Sequence, residues 1–133
     1  MLQGRFGIAD VSQQIVGGFL LAGPFVVTEE VWSLAVSMNW AQTLITAFMI
    51  MVIGYGALYR ADQSRNPEAE EDIGGVPLRF ISLVVISSAS VIILAYTFAA
   101  PETFEATHFT TVKAVSIGTV FSVVGAATAD HVF

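Results

Sequence analysis

The chain has 133 residues, 55% of them apolar and only 12% charged, with a mean hydropathy of +0.74; a free-standing soluble domain of this size is excluded. It contains no cysteine, which rules out disulfides, thiolate metal sites and a cysteine nucleophile. Eleven acidic residues stand against five basic ones, so no basic cluster exists to neutralise phosphates, and nucleic acid is not an expected partner.

Four stretches lack Asp, Glu, Lys and Arg: residues 11–28, 31–59, 80–101 and 114–129. A hydrocarbon core about 30 Å thick takes about 20 helical residues at 1.5 Å each. The stretches therefore predict an all-α polytopic membrane protein, a single domain of four transmembrane helices embedded in the lipid bilayer. The first helix is expected over 9–36; Asp10, Gln13 and Gln14 interrupt its start, which favours a retained span over a cleaved signal peptide. A short connection at Ser37, Met38 and Asn39 forces a tight antiparallel turn into the second helix, 40–59. Residues 60–77, RADQSRNPEAEEDIGGVP, read as a polar surface loop because proline, paired glycines and charges interrupt any helix. The third helix is expected over 79–100. A turn around Pro101 to Thr107, carrying Glu102 and Glu105, leads to the fourth, 109–129.

Arg5, Arg60, Arg65 and Arg79 flank one end of these spans, and only Lys113 the other. The positive-inside rule then places both termini and the long loop in the cytoplasm of a multi-pass cell-membrane protein, with Trp32 and Trp40 at the outer boundary. The acidic excess gathers at Glu68, Glu70, Glu71 and Asp72, and the chain has one lysine, a balance suited to a high-salt, halophilic setting. That loop is also the surface expected to meet a protein partner.

The run from Gly17 to Trp32, GGFLLAGPFVVTEEVW, has a glycine-rich stretch followed by proline, threonine, glutamate and tryptophan. With GYGALY at 54–59 and VPLRFIS at 76–82, it resembles the domain of unknown function 2391 family of integral membrane proteins, in its haloarchaeal, half-length form. The resemblance covers three of the four helices. It implies a fold and a compartment but no established activity. Because bacterial members are roughly twice as long, it also implies that copies of this chain associate, as a homo-oligomer of two or more.

Glu29 and Glu30 are the sharpest chemical feature, since a carboxylate inside a span is costly and usually faces a partner, a cavity or an ion path. Pro24 removes a backbone bond five residues earlier and frees a carbonyl near Leu20. On a helical wheel Asp10, Gln13, Gln14, Gly17, Gly18 and Thr28 share one arc, with Glu29 at its edge. The alternative is that both glutamates simply reach interfacial water. Lys113 stands at a similar depth, so it either pairs with Glu29 or Glu30 or snorkels to the headgroups.

At the cytoplasmic end Asp10, Arg79 and Asp130 share a level, and either pair or act as solvated topology signals. Ala114, Gly118, Ser122 and Ala126 recur every four residues, a small-residue stripe for helix packing within the bundle or between subunits. Ser82, Ser87, Ser88 and Ser90 are expected to bond back to their own helix or across to a neighbour, the alternative being a polar lining of a pore. Glu102, Glu105 and His108, three apart, form at most a weak surface cation site, and no metal or other cofactor is expected. No serine–histidine–acid set, Walker loop or dinucleotide pattern occurs in context, so an enzyme is not expected. Two functions remain: a small oligomeric ion channel or transporter subunit with Glu29 and Pro24 on the path, or a structural or accessory subunit of a membrane complex.

Overall fold

A computed structural model describes residues 7–60 and 72–132. The central part of the polar loop, 61–71, lies outside the described residues, and with it Glu68, Glu70, Glu71 and the candidate partner surface; so does Arg5. In chain order the elements are α1 (Ile8–Val26), α2 (Glu29–Ser37), α3 (Trp40–Tyr55), a π-helical turn (Gly56–Arg60), a two-residue hairpin of β1 (Asp72–Ile73) and β2 (Val76–Pro77), α4 (Leu78–Thr97), α5 (Ala100–Thr103) and α6 (His108–Val132). Among the described residues three helices are long and apolar enough to cross a membrane: Trp40–Tyr59, Leu78–Thr97 and His108–Asp130. Ile8–Ala22 is a shorter apolar helix.

The single helix expected over 9–36 is two helices. Pro24, inside α1, has no N–H to give to the carbonyl four residues back, and the chain leaves the helix at Val27 and Thr28. Thr28 is extended (ψ 137°), and both its N–H and its hydroxyl turn back onto the Phe25 carbonyl, at 3.3 and 3.0 Å. Glu29 and Glu30 then open α2, where the positive end of the helix dipole favours carboxylates. The expected third helix, 79–100, likewise ends early. Ala99 turns into the left-handed region (φ 54°), and Pro101 sits in the first turn of the separate α5, where a missing N–H costs nothing. Asn39 and Gln42 close the start of α3 with a reciprocal pair of bonds, 2.8 and 3.0 Å.

Helices α1, α4 and α6 pack on one another, α3 lies against α6 and α4, and α2 covers α6. Lipid tails supply no hydrophobic drive between spans, so close backbone approach and interhelical hydrogen bonds must hold them. The closest approach joins α1 to α6 at Gly17 and Gly125: a Cβ on either glycine would collide with the carbonyl of the other. The stripe Ala114, Gly118, Ser122 and Ala126 is buried within the bundle, Ser122 against α1 and α4 and Ala126 in the cluster of Leu58, Phe80 and Leu83. It is therefore consumed within the bundle, and a subunit contact through those four residues is not available. On α3, by contrast, Leu44, Ile45, Phe48, Met51 and Val52 are exposed, an apolar face suited to lipid.

Candidate functional site

Polarity is distributed unequally along the α1–α4–α6 interface. At the end where α1 and α4 begin and α6 finishes, Arg79 is buried (3% exposed) between Asp10 and Asp130. Its Nη1 donates to Asp10 Oδ1 at 3.0 Å and to both oxygens of Asp130 at 2.9 Å. Asp10 takes a further bond from the Gly7 N–H, 2.9 Å. Arg79 reaches this position because Val76 and Pro77 pair with Ile73 and Asp72 in the hairpin and Pro77 stands as N-cap of α4, so the arginine falls in the first turn, level with both aspartates.

One helical turn deeper, Gln14 is fully buried. Its amide donates to Asp130 Oδ2 at 3.0 Å and to the Arg79 carbonyl at 3.4 Å, while its oxygen accepts from the Ser82 hydroxyl at 2.7 Å. A further turn in, Ser122 Oγ lies 3.1 Å from the carbonyls of both Gly18 and Ser87. A Cβ on Gly18 would stand 3.0 Å from Ser90 Oγ and 3.2 Å from Ser122 Oγ, so the small residues of all three helices converge there. Ser90 donates to its own helix at Ile86, 2.7 Å. Ser87 Oγ is a buried hydroxyl with no protein partner. Three tiers thus rise about 12 Å along the helices, eight residues at 1.5 Å each: charges, then an amide with a hydroxyl, then hydroxyls with carbonyls.

Beyond this the interface is apolar. Ala22, Val91, Ala95 and Ala114 form a cluster with Val31, Trp32, Ala35 and Ala100. The buried hydroxyls in that half, Thr119 and Thr111, donate to their own helix at Val115 and Thr107. Phe25 stacks on Phe121 with ring centroids 3.9 Å apart.

Of the residues singled out in the sequence, Asp10, Arg79 and Asp130 are brought together and Glu29, Glu30 and Lys113 are not. Both glutamates are exposed on the first turn of α2. Among the described residues no ion pair joins either to Lys113; its Nζ lies 5.5 Å from the Trp40 ring centroid instead. The break after α1 explains this, since it lets the start of α2 reach the surface. Glu29 lines a hollow of about 230 Å³ with Trp32, Ser33, Thr103, Phe104 and Glu105. Trp32, expected at the boundary, is 3% exposed and stacks on Phe104 at 5.8 Å; Trp40 is half-exposed. Pro24 is exposed beside the break rather than on a path through the bundle. Among the described residues no group of three His, Asp or Glu side chains could hold a metal, Glu102, Glu105 and His108 included.

Sequence reasoning placed no weight on Gln14, Ser82 and Ser87 as a connected set. The signal was present: Asp10, Gln14 and Gly18 recur every fourth residue on α1, and Ser122 and Asp130 lie two turns apart on α6.

No curated protein and no solved structure matches the chain. The profile of the family described as "Putative integral membrane protein (DUF2391)" matches residues 4–132. With nearly the whole chain matched and a bundle of apolar helices to match the description, the protein belongs to the domain of unknown function 2391 family of integral membrane proteins.

Proposed function

We propose that the protein is a small transport protein of the cell membrane, a channel or carrier subunit for protons or another small cation, and not an enzyme. In this reading Ile8–Ala22 is a fourth span, extended by α2, and both termini lie in the cytoplasm with the Arg79 end of the bundle. The observation that carries the reading is the buried set of two carboxylates and one guanidinium, bonded on to the Gln14 amide and the Ser82 hydroxyl one turn further into the three-helix interface. Ionisable groups inside spans are rare, and they mark ion paths and proton relays. The working residues are Asp10, Arg79 and Asp130, not Glu29, whose exposure on α2 suits an interfacial role. Association of copies would use the outer face of α3, because the small-residue stripe of α6 is already occupied.

The test is cation flux, protons included, into proteoliposomes at high salt, comparing the native chain with Asp130→Asn, Glu29→Gln and empty vesicles. Flux lost in Asp130→Asn and kept in Glu29→Gln is the expected result. No flux above empty vesicles from folded protein overturns it. That result would favour a structural or accessory subunit, a reading supported by the tight Gly17–Gly125 contact and by the hydrogen bonds that engage every member of the charged tier.

A further inference from the structure

The third tier carries a polar group with no protein partner. Ser87 is fully buried, and its Oγ neither donates nor accepts within the protein. A serine in a helix ordinarily turns its hydroxyl onto the carbonyl three or four residues back, as Ser90 does at 2.7 Å. A hydroxyl left unpaired in an apolar medium keeps the full cost of its desolvation, and replacing it by a hydrogen would remove that cost. Around it the tier is rich in acceptors. Ser122 has one proton, yet its Oγ lies 3.1 Å from two carbonyls, Gly18 and Ser87.

We infer that the seam is a water-reachable half-path which enters at the Arg79 end and stops at Ser87, and that Ser87 binds the innermost water. The inference deepens the transport reading by naming the route and its blind end. Two observations support it. Interhelical bonds of 2.7 to 3.4 Å run inward from Arg79 through Gln14 to Ser82, and the next polar tier begins where Ser122 meets the Ser87 carbonyl at 3.1 Å. Beyond Ser87, Ala22, Val91, Ala95 and Ala114 are each at most 3% exposed and offer water no side-chain partner. A buried water needs two to four polar partners; the tier at Ser87 can supply them and the apolar cluster cannot. Such a half-path would carry protons from one side to mid-membrane and leave an apolar barrier that a transport cycle must open.

The native chain lacks cysteine, so single-cysteine variants report access without background. Ser87→Cys, Ser82→Cys and Val91→Cys are reconstituted in sealed vesicles and treated with a charged, membrane-impermeant methanethiosulfonate from either side. Ser82→Cys and Ser87→Cys are expected to react from the Arg79 side alone, and Val91→Cys from neither. An unreactive Ser87→Cys alongside a reactive Ser82→Cys overturns the half-path, as does Ser87→Cys reacting from the Trp40 side. Thermal unfolding of Ser87→Ala is a second measurement independent of labelling: a lower Tm is expected if Ser87 holds water, and a higher Tm, the signature of removing an orphan hydroxyl, overturns the site. Neither measurement depends on flux. Labelling without flux would leave the half-path standing while the transport reading fails; flux without labelling would do the reverse.

Discussion

The two halves of the α1–α4–α6 interface are built from the same helices and hold together by different physics. In the half that contains Asp10, Arg79 and Asp130, hydrogen bonds cross between helices at every turn. In the half that contains Ala22, Ala95 and Ala114, the buried threonines Thr111 and Thr119 bond back along their own chain segment, and contact is by small apolar groups with aromatic stacking at Phe25–Phe121 and Trp32–Phe104. The difference teaches where specificity resides. Alanine faces against alanine in lipid gain only dispersion energy and tolerate sliding, whereas a guanidinium held by two carboxylates on two other helices permits one register.

The largest expected effect is at the centre of the polar half. Arg79→Met leaves two carboxylates buried without their cation, and removing one partner of a buried pair costs about 3–5 kcal/mol; thermal unfolding in detergent should show it. Combining Arg79→Met with Asp130→Asn should recover part of the loss, and strict additivity of the two would break the claim that they act as one unit.

Next comes the point of closest helix approach. Gly125→Leu must push α1 away from α6, at a cost of about 1–3 kcal/mol or more for overpacking, and should lower the melting temperature without altering helix content by circular dichroism. An unchanged melting temperature would mean that the glycine contact does not set the spacing of the bundle.

The two aspartates sharpen the comparison within the polar half. Asp130 has a fully buried side chain, whereas that of Asp10 is 12% exposed. Asp130→Asn should therefore cost about 2 kcal/mol and Asp10→Asn about half of that, within the range for hydrogen bonds to charged groups. The reverse order in a melting experiment would mean that water reaches the pair differently from the geometry described. The smallest effect is expected at the other end of the molecule. Glu29→Gln, exposed at the start of α2, should change stability by less than about 0.5 kcal/mol, and a large loss would restore Glu29 as a buried partner.

Much of the architecture was legible beforehand because the bilayer imposes length. A span must hide its backbone polar groups for about 30 Å, so uncharged stretches near 20 residues announce α3, α4 and α6 without any knowledge of packing. The break between α1 and α2 was less legible. Pro24 announces a kink, but only the chain's path decides whether the helix resumes in line or ends; here Thr28 turns back onto Phe25 and a new helix starts. That decision moved Glu29 and Glu30 from a presumed ion path to a surface. The level shared by Asp10, Arg79 and Asp130 was readable from their positions at helix ends, but not whether they touch.

By itself, the sequence determined that the chain is an apolar, helical membrane protein, that arginines mark one end, and that small residues recur along α6, because these follow from composition and from periods of 1.5 Å and 3.6 residues. Only the tertiary structure decided that the α6 stripe is buried among the chain's own helices. It also decided that Arg79 bridges two helices at once and that the glutamates lie apart from Lys113. The reason is that an amino-acid sequence specifies which groups are costly to bury, whereas their partners lie 51 to 116 residues away along the chain and meet only when the helices choose their faces.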